Sequence, residues 1–193
     1  MFLSFSPCRS VIFPAVQVSG LTRPQWADII RMIIKMWVRL SFCRTLFMQR
    51  SPEMTIEQIL KMRQEASGLN KLMHMRVITL DKDGGATVEL DLTEELLNPL
   101  GLAHGGTIFT LCDIAAGSAA ASHGLVAVTL DSNIHYYRPG RLGKTLTAVA
   151  YERKRGKKTA VYMVEVHDDE HKHIADAVFT MFYTGQTLDD MQH

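Results

Sequence analysis

The sequence predicts an α+β fold in which an antiparallel sheet wraps around one long central helix. Three observations predict it. Residues 104–121 are almost wholly apolar or small, and a helix that is apolar on every side is a buried one. Strand-like segments flank that helix, two before it and four after. The links between the later segments are short and polar, which suits antiparallel neighbours better than parallel crossovers.

The chain of 193 residues is long enough for one domain with a sizeable core, and 47% hydrophobic with 21% charged residues is a globular composition. Its formal charge of +1 conceals two unlike parts. Up to residue 50 there are seven Lys or Arg against Asp28 alone; acidic groups outnumber basic ones in the rest. This predicts a basic extension over 1–53, a domain over 54–187 and a tail over 188–193. Within the extension, residues 25–48 read as a basic amphipathic helix. Arg31, Lys35 and Arg39 recur on one side, with Ile30, Ile33, Ile34 and Trp37 on the other. Such a helix suits a membrane surface or a partner; the plain alternative is an upstream segment without function. No apolar stretch is long enough for a membrane span, and the N-terminus makes a poor signal peptide. Three cysteines without framework spacing point to a reducing compartment, taken as the cytoplasm, and to no structural zinc.

From Met54 the elements follow in order. Thr55 and Gln58 have capping-box spacing, so a short helix opens there and ends near Gly68. Residues 72–80 and 86–92 read as strands joined by an Asp-Gly turn, DKDGG. In the second, Val88, Leu90 and Leu92 alternate with Thr87, Glu89 and Asp91, giving one buried and one wet face. The apolar helix closes at Gly124. Strands are expected over 126–137, 145–154, 159–168 and 174–184. The histidine-rich run HDDEHKH falls in the turn before the last of these and reads as a solvated turn, so no metal site is expected.

Asp113 is the anomaly. A buried unpartnered carboxylate is costly, so a chain that keeps one inside an apolar helix has a use or a partner for it. Gly105 and Gly106 open the same helix. Their amide N–H groups and the helix dipole form a donor site for an oxyanion. One chain cannot use both, because eight residues at ~1.5 Å each place Asp113 ~12 Å along the axis from Gly105. Two such helices packed antiparallel in a twofold dimer would bring Gly105 of one beside Asp113 of the other, twice. Cys112, beside the acid, reads as a core residue: helical neighbours point about 100° apart and nothing activates it.

Asn98, the HGG at 104–106, Asp113 and the run VTLDSNIHYYRPGRLG at 128–143 together resemble the hotdog-fold acyl-CoA thioesterases of the phenylacetate-degradation, or PaaI-like, type. The resemblance spans roughly residues 60–184. It implies the hotdog fold, homodimers that pair into homotetramers, and hydrolysis of an acyl-CoA thioester without a cofactor. Asp113 then matches the acid that attacks the thioester or activates water. Gly105 matches the residue whose N–H polarises the carbonyl. Asn98 matches the residue that orients water or substrate, and His104 the motif histidine, a loop holder or an acid. Gly106 stands beside the substrate. Thr129 falls where relatives carry a hydroxyl near the acid. The basic run containing Arg153, Lys154, Arg155 and Lys157, with Arg138 nearby, suits the phosphates of CoA. No nucleic-acid partner is expected. Two alternatives stand beside this reading: a hotdog hydratase or dehydratase acting on acyl thioesters, and a non-catalytic acyl-CoA sensor. The acyl group itself is not specified.

Overall fold

A computed structural model describes residues 54–65 and 68–191. The extension over 1–53, including the amphipathic helix expected over 25–48, lies outside the described residues. The first helix, α1 (Ile56–Gln64), is opened by the expected capping box: Thr55 accepts from the Gln58 N–H, and the Gln58 side chain accepts from the Thr55 N–H. It stops short of Gly68. A further helical turn, α2 (Leu69–Leu72), ends on Leu72, the first residue of the strand expected over 72–80. His74 in the left-handed region, φ 54°, then turns the chain into β1 (Arg76–Asp81). Strand β2 (Gly85–Asp91) follows, with Val88 and Leu90 fully buried as the alternation requires.

The central helix is α3 (Gly105–Ala121). Its apolar and small side chains face β1, β2, β3 (Leu125–Tyr136), β4 (Thr145–Arg155), β5 (Thr159–Asp168) and β6 (His173–Thr187), so it touches every strand. The six strands form one antiparallel sheet in the order β1-β2-β4-β5-β6-β3. This is the hotdog arrangement, a sheet rolled around its helix. Four fully buried alanines, Ala115, Ala116, Ala119 and Ala120, let the strands approach the helix closely. Gly124, at φ 72°, ends the helix and donates its N–H to the Ala121 carbonyl, as expected from sequence.

Beyond α3, His123 meets Glu152 of β4 at 2.7 Å, and the Tyr162 hydroxyl donates to the same carboxylate at 3.1 Å while sharing a hydrogen bond with Tyr183. That network fastens the far end of the helix to three strands. Leu188, the first residue of the expected tail, is buried with Ile59 and Ala121, so that side chain belongs to the packed fold. The HDDEHKH run forms the β5–β6 turn, in which Asp168 accepts from the N–H groups of Glu170 and Lys172. Strand β3 ends the sheet opposite β1 and, among the described residues, pairs only with β6. It exposes Val128 (51%) and Leu130 (63%).

Candidate active site

The start of α3 is built by its own sequence. His104 is the N-cap, in extended conformation, and its Nδ1 accepts the Gly106 N–H at 2.9 Å. The N–H groups of Thr107 and Ile108 both donate to the His104 carbonyl. Among the described residues the Gly105 N–H has no acceptor, so it is the first-turn amide left for a ligand. Tyr136, at the end of β3, donates its hydroxyl to the Gly105 carbonyl at 2.9 Å. Burial raises the Tyr136 phenol above its ordinary value, which keeps it a donor. The preceding loop is equally fixed. Asn98 Oδ1 accepts from the N–H groups of Leu100 and Leu102, and Gly101 takes the left-handed conformation, φ 71°, that this tight turn requires. Asn98, Leu102, Ala103, Gly105, Tyr136 and Arg138 line one open cleft of about 340 Å³.

Asp113 lies two turns further along the helix and is half-buried. The Thr129 hydroxyl of β3 donates to its Oδ1 at 2.6 Å and lies 3.7 Å from the Met181 sulfur. The carboxylate therefore has one orienting donor and one open side, the arrangement a base or nucleophile needs. Cys112 is fully buried, and burial foremost, with the neighbouring Asp113 charge, pushes its thiol up to about 12. It is a core residue. Arg63 of α1 reaches the same region: its Nε donates to Ser118 Oγ at 3.1 Å. Burial lowers its pKa, and the Asp113 charge opposes that shift.

The structure brings Asn98, His104, Gly105, Gly106 and Arg138 together, and separately Asp113 with Thr129. Arg138 is held in place by donating to the His173 carbonyl. Arg153, Lys154, Arg155 and Lys157 are exposed around the β4–β5 turn, whose Thr159 pairs with Phe182, level with Val128 and next to the Thr129 register. They stand at the Asp113 end of the sheet, away from the cleft of their own chain. The Gly106 N–H, expected beside the substrate, is already committed to His104. Tyr136 and Arg63 were not picked out from sequence. A tyrosine closing an alternating strand just before Arg-Pro-Gly was the available signal for the first; Arg63 offered none beyond a charge on the face of α1 that also carries Ile59.

Comparison with known proteins agrees with this arrangement. Residues 100–175 match the Thioesterase superfamily model. The chain is 39% identical over 105 residues to the acyl-coenzyme A thioesterase PaaI of Escherichia coli, covering 54% of this chain and 74% of that protein. The solved structure of E. coli PaaI, from the phenylacetic acid degradation operon, superposes with a TM-score of 0.66 at 34% identity, covering 68% of this chain and 95% of that one. The smu.793 protein of Streptococcus mutans, solved bound to acetyl CoA, gives 0.59 at 36% identity over 64% and 96% of the two chains. A hypothetical thioesterase of Streptococcus pneumoniae, solved with coenzyme A, gives 0.56 at 37% identity over 58% and 90%. That pneumococcal protein was also solved with an aspartate, and in another structure a threonine sixteen positions later, changed to alanine. Asp113 and Thr129 have the same spacing here. On the shared fold, the helix-start glycines and this identity, the chain belongs to the thioesterase superfamily, among the PaaI-like hotdog proteins.

Proposed function

We propose that the protein hydrolyses an acyl-CoA thioester to a free acid and CoA, at sites assembled across a twofold dimer. Asp113 of one protomer acts as base or nucleophile, and the Gly105 N–H of its partner receives the thioester carbonyl oxygen. The observation that carries this reading is the pairing of an oriented, half-open carboxylate with an uncommitted helix-start amide ~12 Å away along one helix. The two cannot meet at one carbonyl carbon within a chain. An antiparallel second copy brings them together, and β3 supports its presence: a twelve-residue end strand with apolar exposed side chains is a pairing edge. The same packing brings the basic β4–β5 turn of one protomer towards the cleft and Arg138 of the other, which gives CoA phosphates a basic lining. Dimers of this kind pair further into tetramers in our reading.

His104 serves this scheme as a cap. Its Nδ1 is engaged by an amide, which leaves it poorly placed as the acid/base that a hydratase requires. Asn98 shapes the loop through its carbonyl and keeps its amide NH₂ for water or substrate. The test is CoA release from a panel of acyl-CoA thioesters by the purified full chain. Thiol release that Asp113→Asn abolishes supports the reading. Addition of water across an enoyl thioester, or binding without turnover, would replace it with the hydratase or the sensor.

A further inference from the structure

Most of α3 is buried. What stays open is Gly105, Gly106, Phe109, Thr110, Asp113 and Gly117, one stripe at helical spacing. It begins at the free amide, carries the carboxylate in its middle and ends under α1. There Ile59 is buried beside Ala121, and Arg63, one turn later on the same face, crosses the end of the stripe. A methyl built on Gly117 would stand 3.8 Å from Arg63 Nη2, and among the described residues no other atom outside the helix comes within 4 Å of it. The space ahead of Asp113 is therefore bounded by a guanidinium. Ser118 takes one of its five donors, and among the described residues no carboxylate lies within 4.0 Å of it.

We propose that Arg63 is a specificity-determining residue that receives the far end of the acyl group and selects one ending in a carboxylate. The inference rests on the acyl-CoA thioesterase reading above. With the partner's helix starting opposite Asp113, the stripe from Asp113 to Gly117 runs past that helix and is free for the acyl group. Four residues span ~6 Å along the axis. An extended chain advances ~1.2 Å per bond. An acyl group of five carbons whose thioester is held at Asp113 thus carries its terminal carboxylate to the guanidinium, where a planar fork of donors suits it. Were Arg63 only a fastener between α1 and α3, its loss would affect all substrates alike.

The test compares kcat/KM for glutaryl-CoA and pentanoyl-CoA, which differ at that far end, using the full chain. Arg63→Met keeps the stem that packs on α3 and removes the charge; it should lower the glutaryl-to-pentanoyl ratio ~10- to 100-fold, the range for losing a hydrogen bond to a charged group. Arg63→Lys should fall between it and the parent. A ratio unchanged in both variants overturns the inference alone. So does a parent enzyme that prefers pentanoyl-CoA tenfold, a measurement that needs no variant. Release of CoA from neither thioester, nor from any other of the panel, overturns the thioesterase reading and this inference together.

Discussion

Thr129→Val tests how the carboxylate is held. The substitution keeps the β-branched shape, which suits an exposed position on β3, and removes only the hydroxyl that donates to Asp113 Oδ1 at 2.6 Å. A hydrogen bond to a charged group contributes ~1.5–3 kcal/mol, and the exposure of Thr129 favours the lower figure. At ~1.4 kcal/mol per decade that is a fall of roughly tenfold in kcat. Asp113→Asn should cost ~100-fold or more, because it removes the base or nucleophile itself. The decisive quantity is the double variant. If Thr129 acts by aiming Asp113, Thr129→Val added to Asp113→Asn should change kcat by less than about twofold, since the group it aims is already gone. Steady-state CoA release by the four proteins, each checked for an unchanged melting temperature, completes the cycle. A full further tenfold loss in the double variant would show that Thr129 contacts the substrate independently, and no loss in the single variant would refute the orienting role.

Four further outcomes are expected. Mixing inactive Asp113→Asn with inactive Gly105→Val chains, after unfolding and reassembly, should restore activity at one of the two sites of each mixed dimer; mixed dimers that stay dead refute the crossed site. A Cβ on Gly105 would make only ordinary contact with Tyr136 at 3.5 Å, so any loss from Gly105→Ala should appear in turnover rather than in folding. Gly140→Ala should destabilise by ~1–3 kcal/mol in urea titration, because its Cβ would stand 2.9 Å from Ala103 Cβ and 3.0 Å from Leu92 Cδ1; an unchanged midpoint refutes that close packing. Glu170, held by Lys144 first and then Lys172, should titrate at about 2 rather than its ordinary 4.5. The sign follows: its contribution is present above about 4.5 and is lost as pH falls towards 2, and an NMR titration of Lys144→Ala should show the carboxyl raised part of the way back, with Lys172 still lowering it.

The fold was legible where periodicity and burial agree. The alternation of Val88, Leu90 and Leu92, the unbroken apolar surface of α3 and the Thr55–Gln58 box each encode a local choice that packing then reinforces. The strand expected over 72–80 starts only at Arg76, because Leu72 closes a helical turn and the left-handed His74 then redirects the chain, a backbone choice that the apolar Leu72, Met73 and Met75 do not reveal. In the site, Asp113, Gly105 and Thr129 stood out by chemistry and resemblance. The commitment of the Gly106 N–H to His104, the Tyr136 bond to Gly105 and the crossing of Arg63 over Gly117 depend on side-chain directions between distant elements, which spacing in one chain does not carry.

Both halves of the site lie on one stripe of one helix, and this has a genetic consequence. On the crossed reading, a chain altered at Asp113 alone spoils one site when paired with a normal chain and leaves the other intact. A chain altered at both Asp113 and Gly105 withholds its acid from one site and its amide from the other. Co-produced with the normal protein, it would silence every dimer it enters, so two substitutions eight residues apart would turn a recessive loss into a dominant one.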